Sequence, residues 1–408
     1  MKKIFLQLLL AVISFCGFSQ ETDIKYLSGT DKDHTVQWDF YCTDGRQSGK
    51  WTKIAVPSNW EQQGFGTYNY GHDKVKSNEQ GRYKHEFFAE GWKGKRVFII
   101  FEGSMTDTKV MVNGKLAGPI HQGSFYRFKY DITGLVKLNA QNLLEVTVDK
   151  TSANESVNNA ERKNSDFWVF GGIYRPVYLE IVPETFIERT AINAKADGSF
   201  QMDVYAQNLK SGETIEAQVQ KLNGQNVSKS FAVAANTHQE YLTLKSNFSK
   251  PLLWCAEFPN LYQVVVTLKN KQGIVHRIKQ KFGFRTVEVR AKDGFYVNGA
   301  KIFLKGTCRH SFWPETGRTL SYKVHVLDEL TGWQAQYDTS VGHKLVKELV
   351  VRDVNHPSII FWDNGNEGGW NTGLDNDYAL YDPQNRTVLH PWQKFNGTDT
   401  HHYPDYNA

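Results

Sequence analysis

Along residues 37–182 apolar and polar residues alternate with the period of two that turns one face of a strand to a core and the other to water. Leu144, Val146 and Val148 alternate with Glu145, Thr147 and Asp149, which predicts a half-buried strand. Residues 51–56 predict another that ends at Pro57, and residues 178–182 a last one before Pro183. Residues 97–101 are apolar throughout, the pattern of a strand buried on both faces. Asn113-Gly114, between apolar runs at 109–112 and 115–117, is the strongest short hairpin signal. No long helical period appears here, and the pattern predicts a β-sandwich of jelly-roll type. The polar stretch 151–166 interrupts it and reads as a surface loop rather than one reaching a ligand.

Over residues 184–290 the strands recur at shorter spacing, at 200–205, 214–220, 262–268 and 278–289. About a hundred residues of this kind predict an immunoglobulin-like β-sandwich, here without an obvious inter-sheet Cys pair. At Asp293 the pattern changes. A second Asn-Gly hairpin, Asn298-Gly299, leads into Lys305-Gly306-Thr307-Cys308-Arg309-His310; residues 324–329 read as a strand ending in acids, with Glu329 last. Residues 339–355 read as a helix with Val341, Leu345, Val346, Leu349 and Val350 on one face. Strand, helix and strand in succession open an α/β unit.

The strand after that helix is expected at 358–362, following Pro357, which pushes His356 out of the α region. Beyond it stand Asp363, Asn364, Gly365, Asn366 and Glu367. A polar cluster with one carboxylate at the C-terminal end of a buried strand is where an α/β barrel keeps its chemistry. On residue types alone the stretch reads equally as a turn that uses Asn and Gly for backbone freedom.

Composition narrows these readings. The 408 residues include 11 Trp, 25 Phe and 19 Tyr, enough for two or three cores. Such aromatic content is common where rings stack on sugars, although most rings are simply core. Net charge is +5, but Lys and Arg are interleaved with acids, so nucleic-acid binding has no support. Met1-Lys2-Lys3, an apolar run to Phe15 and then Cys16 to Gln20 read as a secretory signal cleaved near Gln20, with a lipoprotein as the alternative on Cys16. The run is too short to be a membrane span. The expected location is periplasmic or secreted. Cys42, Cys255 and Cys308 then remain, without metal-ligand spacing and with at most one disulfide.

Taken in order, the motifs resemble glycoside hydrolase family 2, the family of β-galactosidases, β-glucuronidases and β-mannosidases. The residues that carry the resemblance are Gly81-Arg82-Tyr83-Lys84-His85-Glu86-Phe87, Val112-Asn113-Gly114-Lys115 and Gly172-Ile173-Tyr174-Arg175-Pro176-Val177 in the first sandwich. Pro259-Asn260-Leu261-Tyr262 and Gly283-Phe284-Arg285 carry it in the second. Lys305-Gly306 with Arg309-His310 and Pro314, then Asn355-His356-Pro357-Ser358 through Trp362 with Asn366-Glu367, carry it beyond. Cys308 and Asp363 depart from the commoner residues at their places.

The resemblance implies a signal at 1–20, a sugar-binding-like jelly roll at 21–183, an immunoglobulin-like sandwich at 184–290 and an incomplete (β/α)8 TIM barrel at 291–408. It implies a retaining β-glycosidase, β-galactosidase-like, acting on an oligosaccharide- or polysaccharide-derived β-glycoside, with no cofactor and with homo-oligomers common. Glu367 is implied as general acid/base and Asn366 as the hydrogen-bond partner of the sugar 2-hydroxyl. Arg309 and His310 are implied to line the pocket. His402 and Tyr403, after Thr398-Asp399-Thr400, are further sugar contacts, and Glu329 is a supporting residue. Two departures stand out. The interval between Lys305 and Val324 is too short for the βα units the family has there, and 293–408 is under half the about 250 residues of a closed barrel. The nucleophilic Glu of the family lies on a later strand, so the chain is expected to be internally deleted and C-terminally truncated and to hydrolyse glycosides poorly. A non-catalytic carbohydrate-binding protein and an inactive fragment are the competing readings.

Overall fold

The computed structural model describes residues 21–163, 165–304, 310–321, 330–396 and 398–400. The jelly roll consists of two antiparallel sheets. Four strands run in the order Asp23–Tyr26, Val177–Pro183, Lys95–Phe101, Phe128–Asp131, and six in the order Trp51–Val56, Val36–Cys42, Gln80–Phe88, Gln141–Asp149, Asp107–Val112, Lys115–Leu116. Leu144, Val146 and Val148 face the core with Trp38, Phe40, Ile99, Phe101 and Leu179, as their alternation predicts. Asn113 and Gly114 both take positive φ, the backbone that a two-residue hairpin turn requires.

The unbroken apolar run at 97–101 has a simple cause. Val97, Ile99 and Phe101 fill the sandwich, while Phe98 and Ile100 on the other face pack with Tyr178, Val182 and Phe186, the last from the second sandwich. The strand is buried twice because two domains share it.

The immunoglobulin-like sandwich pairs a three-stranded sheet (Phe186–Ala194, Ser199–Gln207, Leu242–Asn247) with a four-stranded one (Phe231–Ala234, Thr214–Lys221, Tyr262–Asn270, Gly273–Phe282). The single strand expected at 278–289 is instead two. It stops at Phe282, Phe284 drops into the core, and Val287–Arg290 joins the Gly294–Val297/Ala300–Ile302 hairpin in a separate sheet. The break falls where a Cβ at Gly283 would lie 2.9 Å from Trp254 and 3.2 Å from Pro357. Cys42 and Cys255 are free thiols, so among the described residues this sandwich rests on packing.

His276 is fully buried where the first sandwich meets the second. Its Nδ1 accepts from the Ile187 N–H at 3.0 Å, which leaves Nε2 to donate to Thr22 Oγ1 at 3.1 Å. Burial, helped by Lys95, pushes its pKa down to about 4. A histidine whose folded pKa is depressed favours the fold above the unfolded value near 6.5 and loses that contribution as pH falls toward 4. The expected loss between pH 7 and 4 is about 3 kcal/mol from this side chain. His276→Gln, which keeps an acceptor and a donor, should flatten the melting-temperature profile across that window. An unchanged profile would rule the histidine out as its source.

Beyond the hairpin the chain forms a three-stranded parallel sheet of TIM-barrel type. Leu330–Trp333 pairs with Trp362–Asn366, which pairs with Val388–Leu389. The helix Thr339–Asp353 crosses over between the first two and Asp377–Tyr381 between the next. Val341, Leu345, Val346, Leu349 and Val350 are all buried, as the periodicity predicts. Asp338 caps the helix by accepting from the Val341 N–H at 3.0 Å. Burial alone would raise this carboxyl, but hydrogen bonds from Ser340, Asn154, Val341 and Ser156 hold it down to about 2. Among the described residues no helix is long and apolar enough to cross a membrane.

Two expectations are corrected here. The stretch 151–166 is not simply a surface loop. It holds the helix Glu155–Glu161, whose Val157 and Ala160 join a core with Tyr126, Tyr174, Leu345 and Leu349. Its N-cap Asn154 donates to Asp338 at 2.9 Å, tying the caps of two helices from different domains. The barrel strand expected at 358–362 begins only at Trp362 and runs through the polar residues to Asn366. The apolar run before it is used for docking. Phe361 packs on Phe295 with ring centres 4.7 Å apart, and the Ile359 carbonyl accepts from Arg285 and Arg386 instead of a strand neighbour.

Candidate active site

Glu367 follows the last residue of the central parallel strand and takes a positive φ of 45°, between Gly365 and Gly368, which are also left-handed. Such a turn is sterically costly for a residue with a Cβ, and the two glycines confine the cost to Glu367. The Asn366 carbonyl accepts from the Gln334 and Gly369 N–H groups at 3.2 and 2.9 Å, closing the turn on the neighbouring strand end. Trp333, the last residue of that neighbouring strand, donates its indole N–H to Glu367 Oε2 at 2.7 Å. The residue is half-buried, and one of its carboxylate oxygens is held by a neutral donor.

The two strand ends come this close because both carry glycine. A Cβ on Gly369 would lie 1.2 Å from the Gly332 carbonyl oxygen. Gly369→Ala therefore cannot be relieved by a rotamer change. It should cost on the order of 3 kcal/mol and separate Trp333 from Glu367. A crystal structure or a melting curve of the variant indistinguishable from the parent's would refute this.

Beneath the turn a polar chain holds the strand in place. Asn364 is fully buried and donates to the Asn371 carbonyl at 2.9 Å and to Asp375 Oδ1 at 2.7 Å. The same Asp375 oxygen meets His390 Nε2 at 2.7 Å, and His390 lies flat between Trp370 and Phe395. Trp362 donates its indole N–H to Asp382 at 2.8 Å, and Asp382 is paired with Arg386. Buried groups satisfied at every step make a rigid support.

The barrel unit is anchored to the jelly roll by a second buried network. Glu161 accepts from the Ser124 N–H at 3.1 Å and from the Tyr337 hydroxyl at 2.7 Å, and burial pushes its carboxyl up. The Tyr126 hydroxyl accepts from the Thr331 N–H at 3.0 Å. His121 meets Glu348 of the barrel helix at 2.9 Å. On the side of the other sandwich, Asn355 of the barrel unit donates to the Thr190 carbonyl and accepts from the Ile192 N–H.

Of the side chains expected at the site, the structure places Asn366 and Glu367 together at one strand end. His310 is exposed, with its ring 5.6 Å from Phe167 of the jelly roll; its charged neighbours are Arg318 and Asp166 rather than Glu367. Although the residue is exposed, partial desolvation of the ring, and then Arg318, push its pKa down. Arg309, Glu329, His402 and Tyr403 lie outside the described residues, as does the expected strand at 324–329. Trp333, Asp375 and His390 were not anticipated, and Asn364 was read only as a member of the polar stretch. Among the described residues no group of His, Cys, Asp and Glu is placed to hold a metal ion.

The sugar binding domain of glycosyl hydrolases family 2 matches residues 37–183, the second domain of that family residues 181–285, and its TIM barrel domain residues 334–387. The three follow one another in the order of the sheets described above, and the last contains the Trp362–Asn366 strand. The chain belongs to glycosyl hydrolases family 2. Among its relatives in that family, a β-galactosidase of Thermoanaerobacter pseudethanolicus is 29% identical over 326 residues, covering 68% of this chain and 43% of the relative. A putative β-glucuronidase of Formosa agariphila is 26% identical over 428 residues, covering 92% of this chain and 50% of the relative. The chain thus spans about half the length of the curated relatives it matches. The fold is shared with a putative β-galactosidase from Bacteroides fragilis at a TM-score of 0.72 and 23% identity, over 90% of this chain and 63% of the other.

Proposed function

We propose that Glu367 is the general acid/base of a retaining β-glycosidase site and that the substrate is a β-galactoside or β-glucuronide of an oligosaccharide. The observation that carries this is the Glu367 carboxyl group, fixed by the Trp333 indole at the C-terminal end of the central parallel strand. That end of a barrel strand is where catalytic side chains gather. A carboxyl group there protonates the departing glycosidic oxygen, then takes a proton from water when the second carboxylate is released from the anomeric carbon. Asn366 adjoins it and serves the sugar 2-hydroxyl, a contact that strengthens in the transition state. Arg309, His310, His402 and Tyr403 are proposed sugar contacts on the resemblance alone. The sugar class rests on the names of the relatives. A periplasmic or secreted location rests on the first twenty residues, and N-terminal sequencing of protein expressed from its own gene would test it.

Leaving-group dependence tests the role of Glu367. With an aryl β-galactoside or β-glucuronide bearing a poor leaving group, and azide supplied as the nucleophile, Glu367→Gln should lower aglycone release by about 10²–10⁴-fold, the usual worth of a general acid. With a dinitrophenyl leaving group, which departs without a proton, the first step should be far less affected. An equal loss on both substrates would point to a misfolded site rather than a missing proton donor.

A further inference from the structure

Between the jelly roll and the first segment of the barrel unit lies a pocket of about 630 Å³, within the range of about 300–1,000 Å³ typical of small-ligand sites. Tyr68, Trp168, Phe170, Phe312 and Trp313 supply rings to its wall and Gln62 an amide. The rings do not stack on one another. Tyr68 meets Trp168 at 76° and Phe170 at 73°, and Tyr70, outside the pocket lining, meets Trp168 at 69°, so edges meet faces and among the described residues no ring lies parallel over Trp168. Trp168 is 48% exposed and Tyr68 39%. Exposed rings facing a shared cavity are unlike the scattered surface apolar residues of most proteins.

The pocket is built rather than incidental. Gly317 takes a positive φ, and a Cβ there would lie 2.8 Å from Asn59 and 2.9 Å from Phe170. Asn59 accepts from the Arg318 N–H at 2.8 Å and donates to the Gly171 carbonyl at 3.2 Å, tying the barrel segment to the jelly roll. The Arg318 guanidinium is buried among Phe125, Phe167 and Phe312, 4.4 to 4.8 Å from their ring centres, and burial pushes its pKa down to about 10. This cation braces Phe312 from behind and leaves little freedom to the wall.

We infer that this aromatic pocket is a subsite for a sugar ring of the oligosaccharide chain, with the Trp168 face as its stacking platform. A β-linked pyranose presents axial C–H groups on one face and hydroxyls around its edge. The ring face answers the first and the Gln62 amide the second. Half of the lining comes from the part of the chain that matches the family's sugar binding domain. The Lys32 ammonium lies 5.0 Å from the Trp313 ring centre, which makes Trp168 the more open platform. The inference rests on the glycosidase reading only for the identity of the ligand as a sugar chain.

Titration of the full chain with β-linked gluco-, galacto-, manno- and xylo-tetrasaccharides, followed by tryptophan fluorescence and calorimetry, tests it. At least one should bind. Trp168→Ala should weaken that binding about tenfold, equivalent to 1.4 kcal/mol, while Trp168→Phe retains most of it. Glu367→Gln should bind as the parent does, so failure of the acid/base assignment leaves this result untouched. Absence of binding by all four sugars, or equal affinity in Trp168→Ala, would overturn the subsite.

Discussion

Lys150→Met is expected to cost on the order of 3–5 kcal/mol at pH 8, the cost of stripping a buried pair of carboxylates of the cation that bridges them. Lys150, Glu61 and Glu79 are essentially inaccessible to water. The Lys150 ammonium lies 2.7 Å from Glu61 and 3.2 Å from Glu79 and also donates to the Thr67 carbonyl at 2.5 Å. Each carboxylate has a further donor, Gly171 N–H for Glu61 and Thr67 N–H for Glu79. The two differ in their balance: burial pushes Glu61 up to about 7, whereas for Glu79 the burial penalty is outweighed by Lys150, Ser77 and Thr67 and its pKa falls. In Lys150→Met both carboxyls become harder to ionise, so both folded pKa values lie above the unfolded ones. A group shifted that way supports the fold below its unfolded pKa and loses that support as pH rises through the folded value. The deficit of the variant should therefore shrink toward pH 5. Adding Glu61→Gln and Glu79→Gln should recover much of the loss at pH 8. Calorimetric unfolding within 1 kcal/mol of the parent at pH 8 would show that the cluster is dispensable.

Elements whose identity is set locally could be read from the sequence. The helix Thr339–Asp353 follows from its apolar stripe, and the Asn113-Gly114 and Asn298-Gly299 hairpins follow from residues that tolerate positive φ. The Trp362–Asn366 strand could not be read this way. Its residues are polar, and it is a strand because Asn364 finds Asn371 and Asp375 and because Trp362 pairs with Val388. The apolar run ahead of it looked like the strand because burial against Phe295 selects the same residue types as burial in a sheet. The helix Glu155–Glu161 was hidden for the opposite reason. It is polar by composition, and its short buried side is needed only where two domains meet. At the site, Asn366-Glu367 carried a family signature, whereas the Trp333 contact joins residues 34 positions apart and has no local trace.

Glu367→Gln carries the largest expected functional effect, about 10²–10⁴-fold on substrates that need a proton to release the aglycone. A retaining glycosidase needs a second carboxylate about 5–5.5 Å from the first. Azide makes the measurement independent of where that carboxylate lies, because the small anion can attack the anomeric carbon itself. The C1–O bond then breaks as the glycosidic oxygen takes its proton from Glu367, and a glycosyl azide of inverted configuration forms.

The most direct measurement is therefore phenol release from a phenyl β-glycoside by the full chain in saturating azide, with Glu367→Gln alongside. Azide-dependent release by the parent, with glycosyl azide as product and a loss of at least about 100-fold in the glutamine variant, is the result expected of a general acid at this position. Equal release by both proteins, or no release by either, would contradict the assignment of Glu367.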